Sequence, residues 1–282
     1  MARATLRGVD FYYELSEESS EEASANSADR PRLLFLNGTG GDLRQRPRLI
    51  DGPLTDACHL LAHDQRGLGQ SGKPDEPYTM ADYADDAAAL LDHVGWSSAH
   101  VLGVSFGGMV AQELALRHPD RIDRLVLACT SSGGGGNASY PLHELAALGP
   151  DEYMTRVISI GDTRWAARGE GRDSKRFEQI AAFVKKRQAI PDEDEDPEIK
   201  ALGARRQLEA RLGHDTWDRL AGISMPTLLL GGRYDGIAPP ENMENLASRI
   251  PNSRLEFFEG GHGFLLEDRQ AFPRIIEFLA ED

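Results

Sequence analysis

Ser105 stands in Gly103-Val104-Ser105-Phe106-Gly107, a G-x-S-x-G pentapeptide between the apolar run "AHVLGV" and the helix-patterned stretch "FGGMVAQELALRHPD". At such a strand-to-helix junction the chain turns sharply, and the serine hydroxyl is expected to be thrust into solvent. Glycines two residues before and two after remove side chains that would clash with neighbouring backbone. The helix that follows points its first N–H groups at the same spot, where they favour developing negative charge. A serine hydroxyl is a poor nucleophile until a base accepts its proton, and a carboxylate must in turn orient the base. In this motif the acid and then the histidine follow the serine along the chain.

Of the eight histidines, His143, His214 and His262 lie well beyond the serine's helix, and of these His262 sits in a loop, "EGGHGF", directly after an apolar strand-like run. The glycines on either side permit the backbone excursion that would bring an imidazole to a serine on another strand. His143 and His214 fall in a stretch of different texture and are expected to be surface or packing residues. His118, before a proline, is expected to cap a helix end. For the acid, Asp235 sits in the Gly- and Pro-rich loop of "LLLGGRYDGIAPP", one strand-helix unit before the histidine loop, and the position after "RLVLACT" holds Ser131 and Ser132 instead of a carboxylate. Two backbone donors are needed for the oxyanion of an acyl-transfer intermediate. Phe106, after the serine, offers one. The loop "LNGTGGD" offers the other from Thr39, with Gly40 its close competitor.

Around these residues strand-like and helix-like segments alternate: "RLLFLNG", "CHLLAHDQRG", "HVLGVS" and "RLVLACT" are separated by "TMADYADDAAALLDHVG" and the serine's helix. That alternation predicts an α/β protein with a parallel sheet and helices on both faces. Residues 1–130 form the first part of the core. Residues 131–221, glycine-rich and then Arg/Glu-rich with the acidic run "PDEDEDPE", are expected to be an inserted helical cap. Residues 222–282 resume the alternation with "MPTLLLGG", "ENMENLASRI", "RLEFFEGG" and "RQAFPRIIEFLAED". "SEESSEEASANSAD" is polar enough to be a solvated loop between an opening hairpin and the first core strand.

The net charge of −15 over 282 residues repels phosphate backbones and anionic lipid surfaces, so neither nucleic acid nor membrane is an expected partner. The apolar runs are far short of the ~20 residues of a membrane helix, and the first residues carry no signal-peptide pattern, so a cytoplasmic location is expected. Cys58 and Cys129 lie in apolar strand-like runs and should pack as free thiols. No cofactor or metal is called for: "NGTGGD" has neither the G-x-G-x-x-G spacing nor a P-loop Lys-Ser/Thr, and "PDEDEDPEIK" lacks the spaced ligands of a calcium loop.

The ordered set "LFLNGTGG", "DQRGLGQS", "GVSFGG", "GGRYDGIAPP" and "EGGHGF" resembles the α/β-hydrolase superfamily, and "DQRGLGQS" with "HDTWDRLAGISMPTLLLGGRYD" resembles its small esterase and lactonase branch, which includes 3-oxoadipate enol-lactonases. The resemblance implies an eight-stranded, mostly parallel sheet, a helical cap after the sixth strand, and a Ser105, Asp235, His262 triad. One departure is visible: the first loop usually begins His-Gly in that family and here reads Asn37-Gly38. The expected activity is cleavage of a small-molecule carboxylic ester or lactone through an acyl-serine. Carbon-carbon bond hydrolysis by the same residues, or a hydrolase-like receptor that binds without turnover, are the alternatives. Arg205 and Arg206 are candidate anchors for an anionic substrate.

Overall fold

A computed structural model of the chain describes residues 2–16, 30–48, 50–165, 174–188 and 196–281. The loop expected at residues 16–29 lies outside these apart from Ser16, as does the acidic run at 191–195. The chain opens with a hairpin, β1 (Ala2–Leu6) and β2 (Val9–Leu15), joined by Arg7 and Gly8. Both turn residues have positive φ, 51° and 80°, the backbone twist that suits a two-residue hairpin.

Alternation then sets in. β3 (Arg32–Leu36), α1 (Pro53–Ala57), β4 (His59–His63), α2 (Met80–His93), β5 (Ala99–Val104), α3 (Phe106–Arg117) and β6 (Ile122–Ala128) follow in order. Between β6 and β7 (Thr227–Gly232) the described residues form no strand, and carry α4 (Pro150–Gly161), α5 (Ser174–Gln188) and α6 (Pro197–Leu212) with short 3-10 turns. Asp196 caps α6 by accepting from the Glu198 amide at 2.8 Å. After β7 come α7 (Pro240–Arg249), β8 (Ser253–Phe258), α8 (Phe264–Glu267) and α9 (Ala271–Leu279).

The strands make one eight-stranded sheet in the order β1-β2-β4-β3-β5-β6-β7-β8. β2 runs antiparallel to its neighbours, and the remaining pairs are parallel. Side chains of the central strands alternate between two apolar layers, as the two-residue period of a strand requires. Leu34, Val101, Leu127 and Leu229 pack on one face with α2, α3 and α7. Leu33, Leu102, Val126 and Leu228 pack on the other with α1 and α9. Burial on both faces explains why these strands read as unbroken apolar runs. Cys58 and Cys129 are free and buried in the second layer. No helix among the described residues is long and apolar enough to cross a membrane.

Candidate active site

Ser105 links β5 to α3 with φ 56° and ψ −116°, a positive-φ conformation seldom adopted by residues other than glycine. The surroundings force it. A Cβ on Gly103 would lie 2.4 Å from the Gly107 carbonyl oxygen, and one on Gly107 would lie 2.0 Å from that of Leu36, so both positions must be glycine for the turn to close. The Ser105 amide donates to the Ala128 carbonyl at 2.8 Å, and its carbonyl accepts from Thr130 Oγ1 at 2.8 Å. Both bonds tie the turn to the end of β6.

The expected exposure of the serine needs correction: Ser105 is only 7% exposed. It lies on the wall of a cavity of about 1300 Å³ at the carboxyl ends of the central strands, lined also by His262 and by residues of α4, α5 and α6.

Three side chains from three loops meet beside this cavity. His262 Nε2 lies 2.9 Å from Ser105 Oγ, and its Nδ1 lies 2.7 Å from Asp235 Oδ2. A carboxylate can only accept, so Nδ1 carries the proton toward Asp235 and Nε2 is left to accept from the serine hydroxyl. Asp235 is 2% exposed, and its Oδ1 accepts from the Ile237 and Ala238 amides at 2.8 and 2.9 Å. Those bonds fix the carboxylate's orientation. They also belong to its own loop, since α7 is capped at Pro239 and not by this aspartate.

The C-terminal end of α4 braces both loops. The Gly161 carbonyl accepts from the His262 amide at 2.7 Å, and the Ile160 carbonyl accepts from the Gly236 amide at 2.9 Å. Cys129, Asp235 and His262 present ligand-type atoms within 4.8 Å of one another. Burial, and after it the Asp235 charge, keep the Cys129 thiol protonated. A protonated thiol beside a carboxylate and imidazole already bonded to each other suits a hydrogen-bonded relay better than a metal site.

Both candidates for the second oxyanion donor, Thr39 and Gly40, lie in the loop after β3 and line the cavity. Asn37, in place of the usual histidine, accepts the Gly38 amide on its own Oδ1 at 2.9 Å, and its carbonyl accepts from Gln65 Nε2 at 2.8 Å. The Gly40 amide donates to Gln207 Oε1 at 2.8 Å. Gly38 and Gly40 are therefore engaged, while Thr39 lies between them on the cavity wall. Phe106 and Gly107 precede the first helical bond of α3, which Gly108 donates to the Ser105 carbonyl at 2.9 Å.

Gln65 falls within the "DQRGLGQS" motif, but its bond to the Asn37 carbonyl is not foreshadowed by it; Gln207 carries no signal in the sequence, reaches across 167 residues, and is placed only by the packing of α6 on the core. Gly203, one turn earlier, sits so close to Gly67 that a Cβ there would lie 2.0 Å from the Gly67 carbonyl oxygen. "DQRGLGQS" forms the floor beneath. Arg66 makes a buried two-pronged bond to Asp86 at 2.6 and 2.8 Å, and Asp64 accepts from the Leu43 and Gln70 amides at 2.7 and 2.9 Å. Burial pushes the Asp64 carboxyl up to about 6.

Other candidates fall away from the cavity. His214 is buried with Nε2 3.1 Å from the Ser131 carbonyl, and burial pushes its pKa down to about 4. His143 is exposed. His118 Nε2 lies 2.8 Å from Asp85 Oδ1 while its amide caps α3 by donating to the Leu114 carbonyl. Arg206 is bound to Asp75 and Glu209 at 3.1 and 2.9 Å, and Arg205 lies 3.8 Å from Glu209. Neither arginine is on the cavity wall, because α6 turns Lys200, Ala204 and Leu208 to it instead.

Residues 31–269 match the model of the alpha/beta hydrolase fold family. The chain is 33% identical over 253 residues to a poly(3-hydroxyalkanoate) depolymerase of Ectopseudomonas oleovorans, covering 89% of this chain and 84% of that protein. It is 28% identical to 3-oxoadipate enol-lactonase 2 of Acinetobacter baylyi, over 90% of each. Among solved structures, an enol-lactonase from Burkholderia xenovorans LB400 superposes with a TM-score of 0.76 at 22% identity, over 99% of this chain and 100% of that one.

Proposed function

The chain belongs to the α/β-hydrolase fold family, and on that footing we propose that it is a serine hydrolase of carboxylic esters or lactones. The observation that carries the proposal is the unbroken line of contacts from Ser105 Oγ through His262 to Asp235, at 2.9 and 2.7 Å, opening on the cavity. The depolymerase and the enol-lactonase among its relatives support the same class of bond.

Ser105 Oγ attacks the acyl carbon as its proton passes to His262 Nε2. Asp235 holds the imidazole in the tautomer that can accept that proton and stabilises the imidazolium without taking the proton itself. The carbonyl oxygen, now negative, is received by the amides of Phe106 and Thr39; one such donor contributes about 2.7–4 kcal/mol to the transition state. His262 returns the proton to the departing alkoxide. Water, deprotonated by the same imidazole, then releases the acid and restores Ser105. The helices at 131–221 act as a cap that limits water in the cavity and shapes it around the substrate.

Ser105→Ala tests this directly. Wild-type protein should hydrolyse p-nitrophenyl acetate with a burst of phenol, whereas the variant should keep the wild-type melting temperature and lose essentially all turnover. Wild-type rates in a folded variant would exclude Ser105 as nucleophile, and no turnover by the wild type would favour a non-catalytic binder.

A further inference from the structure

The shape and lining of the cavity narrow the substrate class within the hydrolase activity proposed above, on which this step rests. At about 1300 Å³ the cavity exceeds the ~300–1,000 Å³ usual for small-ligand sites, and an acetyl group on Ser105 would leave most of it unfilled. Its walls are apolar in a patterned way. α5 presents Ile180, Phe183 and Val184, the i, i+3, i+4 face of one helix, and α4 adds Val157 and Ile158 while α6 adds Leu208. Phe183 is 45% exposed although large and apolar. These three helices direct apolar stripes at a hollow instead of burying them wholly against one another. Such a hollow is stabilised by an apolar occupant.

The charges on the wall point the same way. Arg164 is bound to Asp162 at 2.5 Å and stands 3.7 Å from Glu267, and Lys73 Nζ donates to the Gly69 and Ser71 carbonyls at 2.7 and 3.1 Å. Lys200 is exposed on α6. Asp42 is likewise bound to Arg44 at 2.7 Å, and Glu259 stands 3.4 Å from Arg233. A carboxylate held along the helix stripes would meet hydrocarbon, with Arg164 and Lys73 already engaged, and leaving it there unpaired is costly.

We infer that the substrate is an uncharged ester bearing a long apolar chain, held along α4, α5 and α6 with its acyl carbon at Ser105. The chain can belong to the acyl or to the alcohol side, so two series are assayed: p-nitrophenyl esters from acetate to dodecanoate, and butyrate esters of alcohols from ethanol to decanol. Burial of each added methylene raises kcat/KM by up to about fourfold until the cavity is filled. A gain of at least about tenfold from the four-carbon to the ten-carbon member of one series, with a loss of at least about tenfold when that chain ends in a carboxylate, supports the inference. Phe183→Glu should collapse the ten-carbon to four-carbon ratio toward one. A flat or falling profile in both series, or preference for the carboxylate-ended chain as Lys200 would confer if it formed an anion subsite, overturns it, while turnover of the short esters leaves the hydrolase proposal standing. Failure to cleave any ester overturns both.

Discussion

Ser105 occupies a backbone conformation that costs of order 1–3 kcal/mol, and the surrounding glycines and the bonds to Ala128 and Thr130 hold it there. At this scale the candidate residues were legible because their types are few and their order is constrained: one G-x-S-x-G serine, one histidine in a glycine-flanked loop after a strand, one aspartate a strand-helix unit earlier. The structure brings these side chains to hydrogen-bond distance. Less legible was their environment. A turn motif implies that a hydroxyl projects from the backbone, but how much of it stays exposed depends on what the rest of the chain packs around it, and here Ser105 is 7% exposed. Asp235 yields a prediction that separates orientation from binding. Asp235→Asn keeps the shape and places an amide where His262 Nδ1–H needs an acceptor, favouring the wrong tautomer. We expect kcat to fall about 10³- to 10⁴-fold with KM changed far less, measured by steady-state kinetics on one activated ester. A loss below tenfold would assign the acid's part to another residue.

Among the elements, α6 divides its surface in a way that no hydropathy pattern announces. Lys200, Ala204 and Leu208 face the cavity, whereas Gly203 and Gln207 face the loops that follow β4 and β3. Gln207 is 1% exposed and its Oε1 holds the Gly40 amide, so a helix of the segment at 131–221 braces the loop that would supply the Thr39 donor. A glutamine in an Arg- and Glu-rich helix gives no hint of such a partner, because the pairing is made by tertiary packing across most of the chain. Gln207→Ala should loosen the loop and lower kcat about tenfold, a part of what losing a whole donor costs, with KM within about twofold. Affinity for a boronic acid that mimics the tetrahedral intermediate should weaken by the same factor. An unchanged kcat and boronate affinity would mean that Gln207 only packs α6 in place.

For the whole molecule, the parallel sheet was legible because strands buried on both faces read as apolar runs separated by helical patterns with recognisable ends, such as the Thr79 and Asp82 capping box of α2. The break in that alternation after residue 130 coincides with a stretch between β6 and β7 where the described residues form helices and no strand. Neither the course of the inserted helices nor the hollow beneath them could be read, since amphipathic periodicity gives the same signal for a face packed on protein and one lining a cavity. The central claim is that this fold presents one activated serine to that cavity, and covalent trapping tests it most directly. Protein treated with an alkyl fluorophosphonate should gain a single adduct, mapped by peptide mass spectrometry to Ser105, with hydrolysis lost in step with labelling and the adduct absent from Ser105→Ala. An adduct on another residue, or full activity in protein labelled at Ser105, would contradict the account.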